Sequence, residues 1–171
     1  VTKVSEYELN LAVAKKMKAK LESMGATVVM SRETHDVNIS NIERAKLMND
    51  AECDIVIRIH ADGSDKSSVN GYSILIPSGK DTVSIQKKSK TFATLLDNSM
   101  KNQVKGIRSR GLMERSDLTG FNWSTVPVIL LEMGFMSNPS DDKTMQTKEY
   151  QEQLIQSLAN ACIQYQKANK K

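Results

Sequence analysis

Two short apolar runs, each ending in a side chain that can bind a metal or move a proton, constrain this chain more than any other feature. One is Asp54-Ile55-Val56-Ile57-Arg58-Ile59-His60, and the other is Val126-Pro127-Val128-Ile129-Leu130-Leu131-Glu132-Met133-Gly134-Phe135. β-Branched runs of this length, bounded by polar or Gly-containing segments, suit central strands of a sheet covered by helices. In such sheets ligands bind beyond the carboxyl ends of the strands, which is where His60 and Glu132 stand.

The segments around these runs read as helices and turns. Leu9, Val13, Met17, Leu21 and Met24 recur at helical spacing with lysines on the opposite face, and Gly25 suits a left-handed C-terminal cap. Ser40-Asn41-Ile42-Glu43 has the form of a capping box opening a second helix. Asn70-Gly71 turns into a strand from Tyr72 to Ile76 that Pro77-Ser78-Gly79 stops, and the patterns over 83–100 and 148–167 predict two longer helices. Residues 106–125 carry no regular pattern; a loop of that length exceeds the usual ~12–15 residues and is a candidate binding loop. Alternating strands and helices predict an α/β fold: a mixed, mostly parallel central sheet covered by helices on both faces.

With 171 residues and 39% hydrophobic content, residues 1–171 fit one domain around one core. Net charge is +4, with lysines spread along the helices rather than clustered, which argues against nucleic acid and is compatible with an anionic partner. No apolar stretch approaches the roughly 18 residues of a membrane span. Cys53 and Cys162 fit small buried hydrophobes better than a disulfide framework, and a monomer is expected.

Three local patterns, in order, resemble the zinc-dependent N-acetylmuramoyl-L-alanine amidases of bacterial peptidoglycan. Leu131-Glu132-Met133-Gly134-Phe135-Met136-Ser137-Asn138 is similar to that family's Val-Glu-Leu-Gly-Phe-x-Ser-Asn, Ile59-His60-Ala61-Asp62 to its Ile-His-Ala-Asn, and Glu6-Tyr7-Glu8-Leu9-Asn10-Leu11-Ala12 to its Glu-Lys-x-Leu-Asn-Leu-Ala. Ala26 to Arg32 resembles a family strand ending in Thr-Arg, and Ile42 to Asn49 the helix after it. The likeness spans nearly the whole chain. It implies a zinc ion held by Glu6 and His60, Glu132 as the general base, a peptidoglycan substrate, and action outside the cell or in the bacterial cell wall. The family opens with a strand ending in Asp-Pro-Gly-His-Gly that supplies a first zinc ligand. Nothing like it precedes Val1, so the expectation is a catalytic domain without its first strand.

Read without the family, these residues have plainer roles. A strand-end histidine is often a hydrogen-bonded core residue, His35 in Glu33-Thr34-His35-Asp36 fits a solvated turn, and Glu132 could be a buried carboxylate paired with Arg58 or Arg44. Arg58 shares a face with His60, since residues two apart point the same way, and is expected to orient a carboxylate near the site. Arg32 and Arg44 fall at family positions that look structural. Asp62 departs from the family's asparagine at a substrate-side position. In the long loop, Arg115, Asn122 and Trp123, with Arg108, Arg110 and Phe121, suit stacking on sugars and pairing with peptide carboxylates, although Phe121 and Trp123 could equally cap the core. The leading reading is hydrolysis of the amide between N-acetylmuramic acid and L-alanine; the rival is a catalytically silent module that binds cell wall or a partner protein.

Overall fold

The computed structural model describes residues 2–169. In chain order the elements are α1 (Glu6–Glu22), α2 (Asn41–Asp50), β1 (Val56–Asp62), β2 (Tyr72–Pro77), α3 (Val83–Gln103), β3 (Ser109–Arg115), α4 (Thr119–Asn122), β4 (Val128–Phe135), α5 (Pro139–Met145) and α6 (Lys148–Asn169). The four strands form one sheet in the order β1-β4-β2-β3. β1 runs parallel to β4 and β2 parallel to β3, while β2 and β4 are antiparallel.

That order explains the different character of the two apolar runs. β4 lies inside the sheet, and every residue of it except Glu132 is buried. Such a strand meets side chains above and below it and other strands on both edges, which is why it reads as a continuous apolar run. β1 lies at the rim and is mostly half-buried. On one face the sheet carries the larger core, where Leu9 and Val13 of α1, Phe92 and Leu96 of α3, and Leu154 and Leu158 of α6 pack against Ile129, Leu131 and Met133. On the other face Phe121 of α4 closes a smaller cluster with Leu75, Val128 and Leu130.

Local chemistry sets the helix ends. The Ser40 hydroxyl accepts from the Glu43 amide at 3.2 Å while the Glu43 carboxylate accepts from the Ser40 amide at 2.8 Å, the reciprocal bonds of a capping box. After α1, Gly25 turns the chain with φ +86°, a conformation that costs glycine little. α3 and α6 overrun their predicted ends by a few residues, as fraying helix ends do.

Two expectations are corrected here. Residues 26–32 form no strand: they pair with no strand of the sheet, and a strand exists only where a neighbour supplies ladder bonds. Between this segment and the outer edge of β1 lies a groove of about 1140 Å³, lined by Met17, Leu21, Val28, Ile57 and Ile59 among others. Residues 106–125 are not irregular throughout, for they contain β3 and α4. α5 follows β4 directly, capped by the Asn138 side chain with Pro139 in its first turn.

Candidate active site

Parallel pairing sets His60 of β1 beside Glu132 of β4 in register, and antiparallel pairing sets Ser73 on Glu132's other side. Neighbouring strands lie about 4.8 Å apart. On β1, Val56, Arg58 and His60 alternate with the core-facing Ile57 and Ile59; on β4, Val128, Leu130 and Glu132 alternate with Ile129 and Leu131. His60 and Glu132 therefore project from the same face of the sheet.

Glu6 comes to this place from the first turn of α1, where the helix's positive end favours an anion. Its Oε1 lies 2.9 Å from His60 Nδ1 and accepts from the Asn10 side-chain amide at 3.0 Å and the Ala61 backbone amide at 3.3 Å. Successive backbone amides of a strand point to alternate edges, and Val56 donates towards β4 by way of the Pro127 carbonyl. Ala61 thus donates on the outer side, and Glu6 closes the end of the sheet's open edge. The contact with His60, helped by Asn10 and the Ala61 amide, outweighs burial and holds the Glu6 carboxyl down at about 2.

Glu132 is perturbed the other way. Burial, then the negative charges of Asp62 and Glu6, push its carboxyl up to about 8, with Arg115 acting weakly against them. Its Oε2 is buried and has no hydrogen-bond partner among the described residues. It has no salt bridge to Arg58 or Arg44 among those residues, which removes the plain structural role considered for it. A carboxyl with a raised pKa and an unused oxygen, next to an imidazole, can take up and return a proton near neutral pH.

The other anticipated residues divide by position. Asp62 ends β1 after a register shift, with its carbonyl accepting from the Met136 amide at 2.8 Å and its carboxylate from Gly63 at 2.7 Å. Its charge acts on Glu132 across the site. Arg58 turns away to the side chain of Asn41, where its Nη2 donates at 2.7 Å, and meets no carboxylate among the described residues. Arg115 is held by both oxygens of Asp117 at 2.7 Å, yet its charge still reaches Asp62 and Glu132.

Asn122 donates to the Ser116 carbonyl and packs near Gly79, beyond the end of β2 that lies away from Glu132. Trp123 is 47% exposed beneath the Lys46 ammonium, and its carbonyl is bound by Asn49 in the last turns of α2. Asn122 and Trp123 sit where β4 begins, not where it delivers Glu132, while Phe121 is a core residue. His35 contacts Tyr7 edge-on and Arg32 at the surface.

Two residues near the site escaped the sequence reading. Asn10 stands one helical turn after Glu6 and binds it, a spacing that marks a helix-face pair. Ser73 adjoins Glu132 only through an antiparallel pairing that no local pattern announces.

Glu6 and His60 offer the oxygen and nitrogen donors that zinc accepts, so the donor set fits that metal in kind. Among the described residues no third His, Cys, Asp or Glu side chain joins them in a cluster able to hold a metal ion.

Comparison with known proteins gives the family. The family model described as N-acetylmuramoyl-L-alanine amidase matches residues 1–164. The chain is 29% identical to the N-acetylmuramoyl-L-alanine amidase LytC of Bacillus subtilis over 94% of its length, but spans only 31% of LytC. It is 28% identical over 91% of its length to the probable cell wall amidase LytH of Staphylococcus aureus and spans 48% of that protein. Among solved structures, an N-acetylmuramoyl-L-alanine amidase from Clostridium difficile 630 superimposes with a TM-score of 0.87 at 28% identity, covering 98% of this chain and 87% of that one.

Proposed function

The chain belongs to the N-acetylmuramoyl-L-alanine amidase family, and from that premise we propose that it hydrolyses the amide joining N-acetylmuramic acid to L-alanine in peptidoglycan, with Glu132 as general base. The observation that carries this reading is the adjacency of Glu132 and His60 in register, with a buried Glu132 oxygen that binds nothing else. Amide hydrolysis needs a proton removed from the attacking water and one delivered to the departing amine. A single carboxyl with raised affinity does both in turn: Glu132 accepts the first proton and gives it to the L-alanine nitrogen.

Glu6 and His60 would hold a zinc ion, which when bound supplies a Lewis acid for the amide carbonyl and for water. Asn10 keeps the Glu6 carboxylate in place, and the Ala61 amide fixes it against β1. The open edge of β1 beside Glu6 is the position from which a third donor would reach these two. Arg115 and Asp62, whose charges act on Glu132, would meet the charged groups of the stem peptide. The cell wall is then the place of action, in keeping with the relatives described as cell wall amidases.

The test is Glu132→Gln, which keeps the shape of the side chain and cannot cycle a proton. On purified peptidoglycan, release of L-alanine amino termini is expected to fall roughly 10²–10⁴-fold while the fold is kept. Release at the wild-type rate would remove Glu132 from the reaction. If neither protein cuts under any metal supply but both bind the wall equally, the silent wall-binding module is the correct reading.

A further inference from the structure

The sheet sets residues of all four strands on the level of Glu132. His60 stands beside it on β1 and Ser73 on β2; because Tyr72 pairs with Ser109 and Ile74 with Leu112, Ser73 in turn faces Arg110 and Gly111 on β3. Ser109 turns its hydroxyl to Asp97 of α3, on the side of the larger core, so Arg110, the next residue, projects from the face that carries His60 and Glu132. β4 has one extra residue between its pairings with His60 and Asp62, a bulge that brings Phe135 back to this same face. The Arg110 guanidinium lies over the Phe135 ring, 5.2 Å from its centroid.

This cation has donors to spare. Arg110 is exposed, donates through Nη1 to the Asn70 carbonyl at 3.3 Å, and meets no carboxylate among the described residues. Arg115, on the same strand, is by contrast already held by both oxygens of Asp117. Room for the Arg110 stem is built in, since a Cβ at Gly71 would lie 2.9 Å from Arg110 Cγ. Resting on a buried ring restrains a guanidinium, and its fork matches the two oxygens of a carboxylate.

The chemistry at Glu132 decides which part of the substrate comes this way. Glu132 hands its proton to the L-alanine nitrogen, and Glu6 with α1 closes the β1 side of the row, so the stem peptide runs from Glu132 towards β2 and β3. β3 lies two strand spacings, roughly 10 Å, from β4, a span of about three extended residues that the length of the arginine side chain shortens to about two. We propose that Arg110 binds the free carboxylate of the second stem-peptide residue, the one that follows L-alanine, and so makes the protein prefer stems with an acid at that place over stems with an amide. The proposal rests on the amidase reading for the identity of the peptide.

The experiment is calorimetric titration of the 171-residue chain with two synthetic stem peptides, L-alanyl-γ-D-glutamyl-L-lysine amide and its twin with D-isoglutamine in second place, which differ only in that carboxylate. Saturable binding of the acid peptide is expected, with the amide twin weaker by roughly tenfold or more. In R110M the acid peptide should fall to the level of its twin, and in R110K part of the preference should return. Equal binding of the two peptides, binding of neither, or a preference that survives R110M overturns the proposal. Should R110M fail to melt cooperatively, the Nε–H resonance of Arg110 in the wild type replaces it: a shift with the acid peptide and none with the twin is expected, and an unmoved resonance counts against the site. The two readings fail separately. Peptidoglycan left uncut beside an Arg110-dependent preference ends the hydrolytic reading, whereas cutting beside equal binding of the two peptides ends this one.

Discussion

The two glutamates of the site carry opposite perturbations from one arrangement. Glu6 is held at about 2 by its contact with His60, and Glu132 is raised to about 8 by burial and by the charges of Asp62 and Glu6. For Glu132 the folded chain binds the proton more tightly than the unfolded chain, whose carboxyl titrates near the ordinary 4.5. Its favourable contribution is therefore complete below 4.5 and is lost as pH rises through 8. In metal-free buffer the melting temperature of Glu132→Gln is expected to gain on the wild type across that window; a gap that stays constant with pH would mean that the carboxyl has ordinary proton affinity. At this scale the sequence was most informative. His60, Glu132 and Glu6 are legible because each stands in a recurring local pattern, although β1 runs on past His60 to Asp62 and β4 past Glu132 to Phe135. The departure of Arg58 from the site, and of Trp123 to the start of β4, was not legible, since alternation along a strand gives the face a side chain takes and not the neighbour it chooses.

Among the elements, the longer helices and the strands β1, β2 and β4 were read correctly, and the misread strands are those whose partner alone decides the outcome. The box at Ser40 and Glu43 and the periodicity of α1, α3 and α6 are properties of a few consecutive residues. Ser40→Ala should cost about 1 kcal/mol in urea-induced unfolding, because one free amide of α2 loses its acceptor. Gly71→Ala should cost more than Ser40→Ala in the same measurement. Its φ of +109° is strained for any other residue, and a Cβ there would lie 2.8 Å from the Arg108 carbonyl oxygen. Equal costs would show that the entry to β2 yields more easily than its geometry implies. Residues 26–30 have the composition of a strand and are not one, whereas Ser109–Arg115, rich in Arg and Gly, is one. Propensity reports how well a residue suits a sheet, while the presence of a partner decides whether a sheet exists.

For the molecule as a whole, the rim strand β1 holds His60 and leaves the outward amides of Ile57 and Ile59 without a backbone partner among the described residues. Hydrogen exchange at these amides is expected to run ahead of exchange in β4, and the chain should associate at high concentration, since open edges pair with other chains. With Glu6 and His60 as the only clustered donors among the described residues, the 171-residue chain is expected to bind zinc weakly in native mass spectrometry. Stoichiometric, tight binding would show that a third donor has joined them. The α/β class and the mixed sheet follow from the sequence of elements. The insertion of β4 between β1 and β2, by contrast, joins segments far apart in the chain and can be seen only in three dimensions.

That insertion has a consequence for how the protein is made. On the ribosome α1, α2 and the first three strands emerge before β4, so among the described strands β1 has no sheet partner until β4, which carries Glu132, is translated. Long-range pairings of this kind close late and slowly. Assembly of the sheet and of the carboxylate–imidazole pair is thus one event that waits for β4.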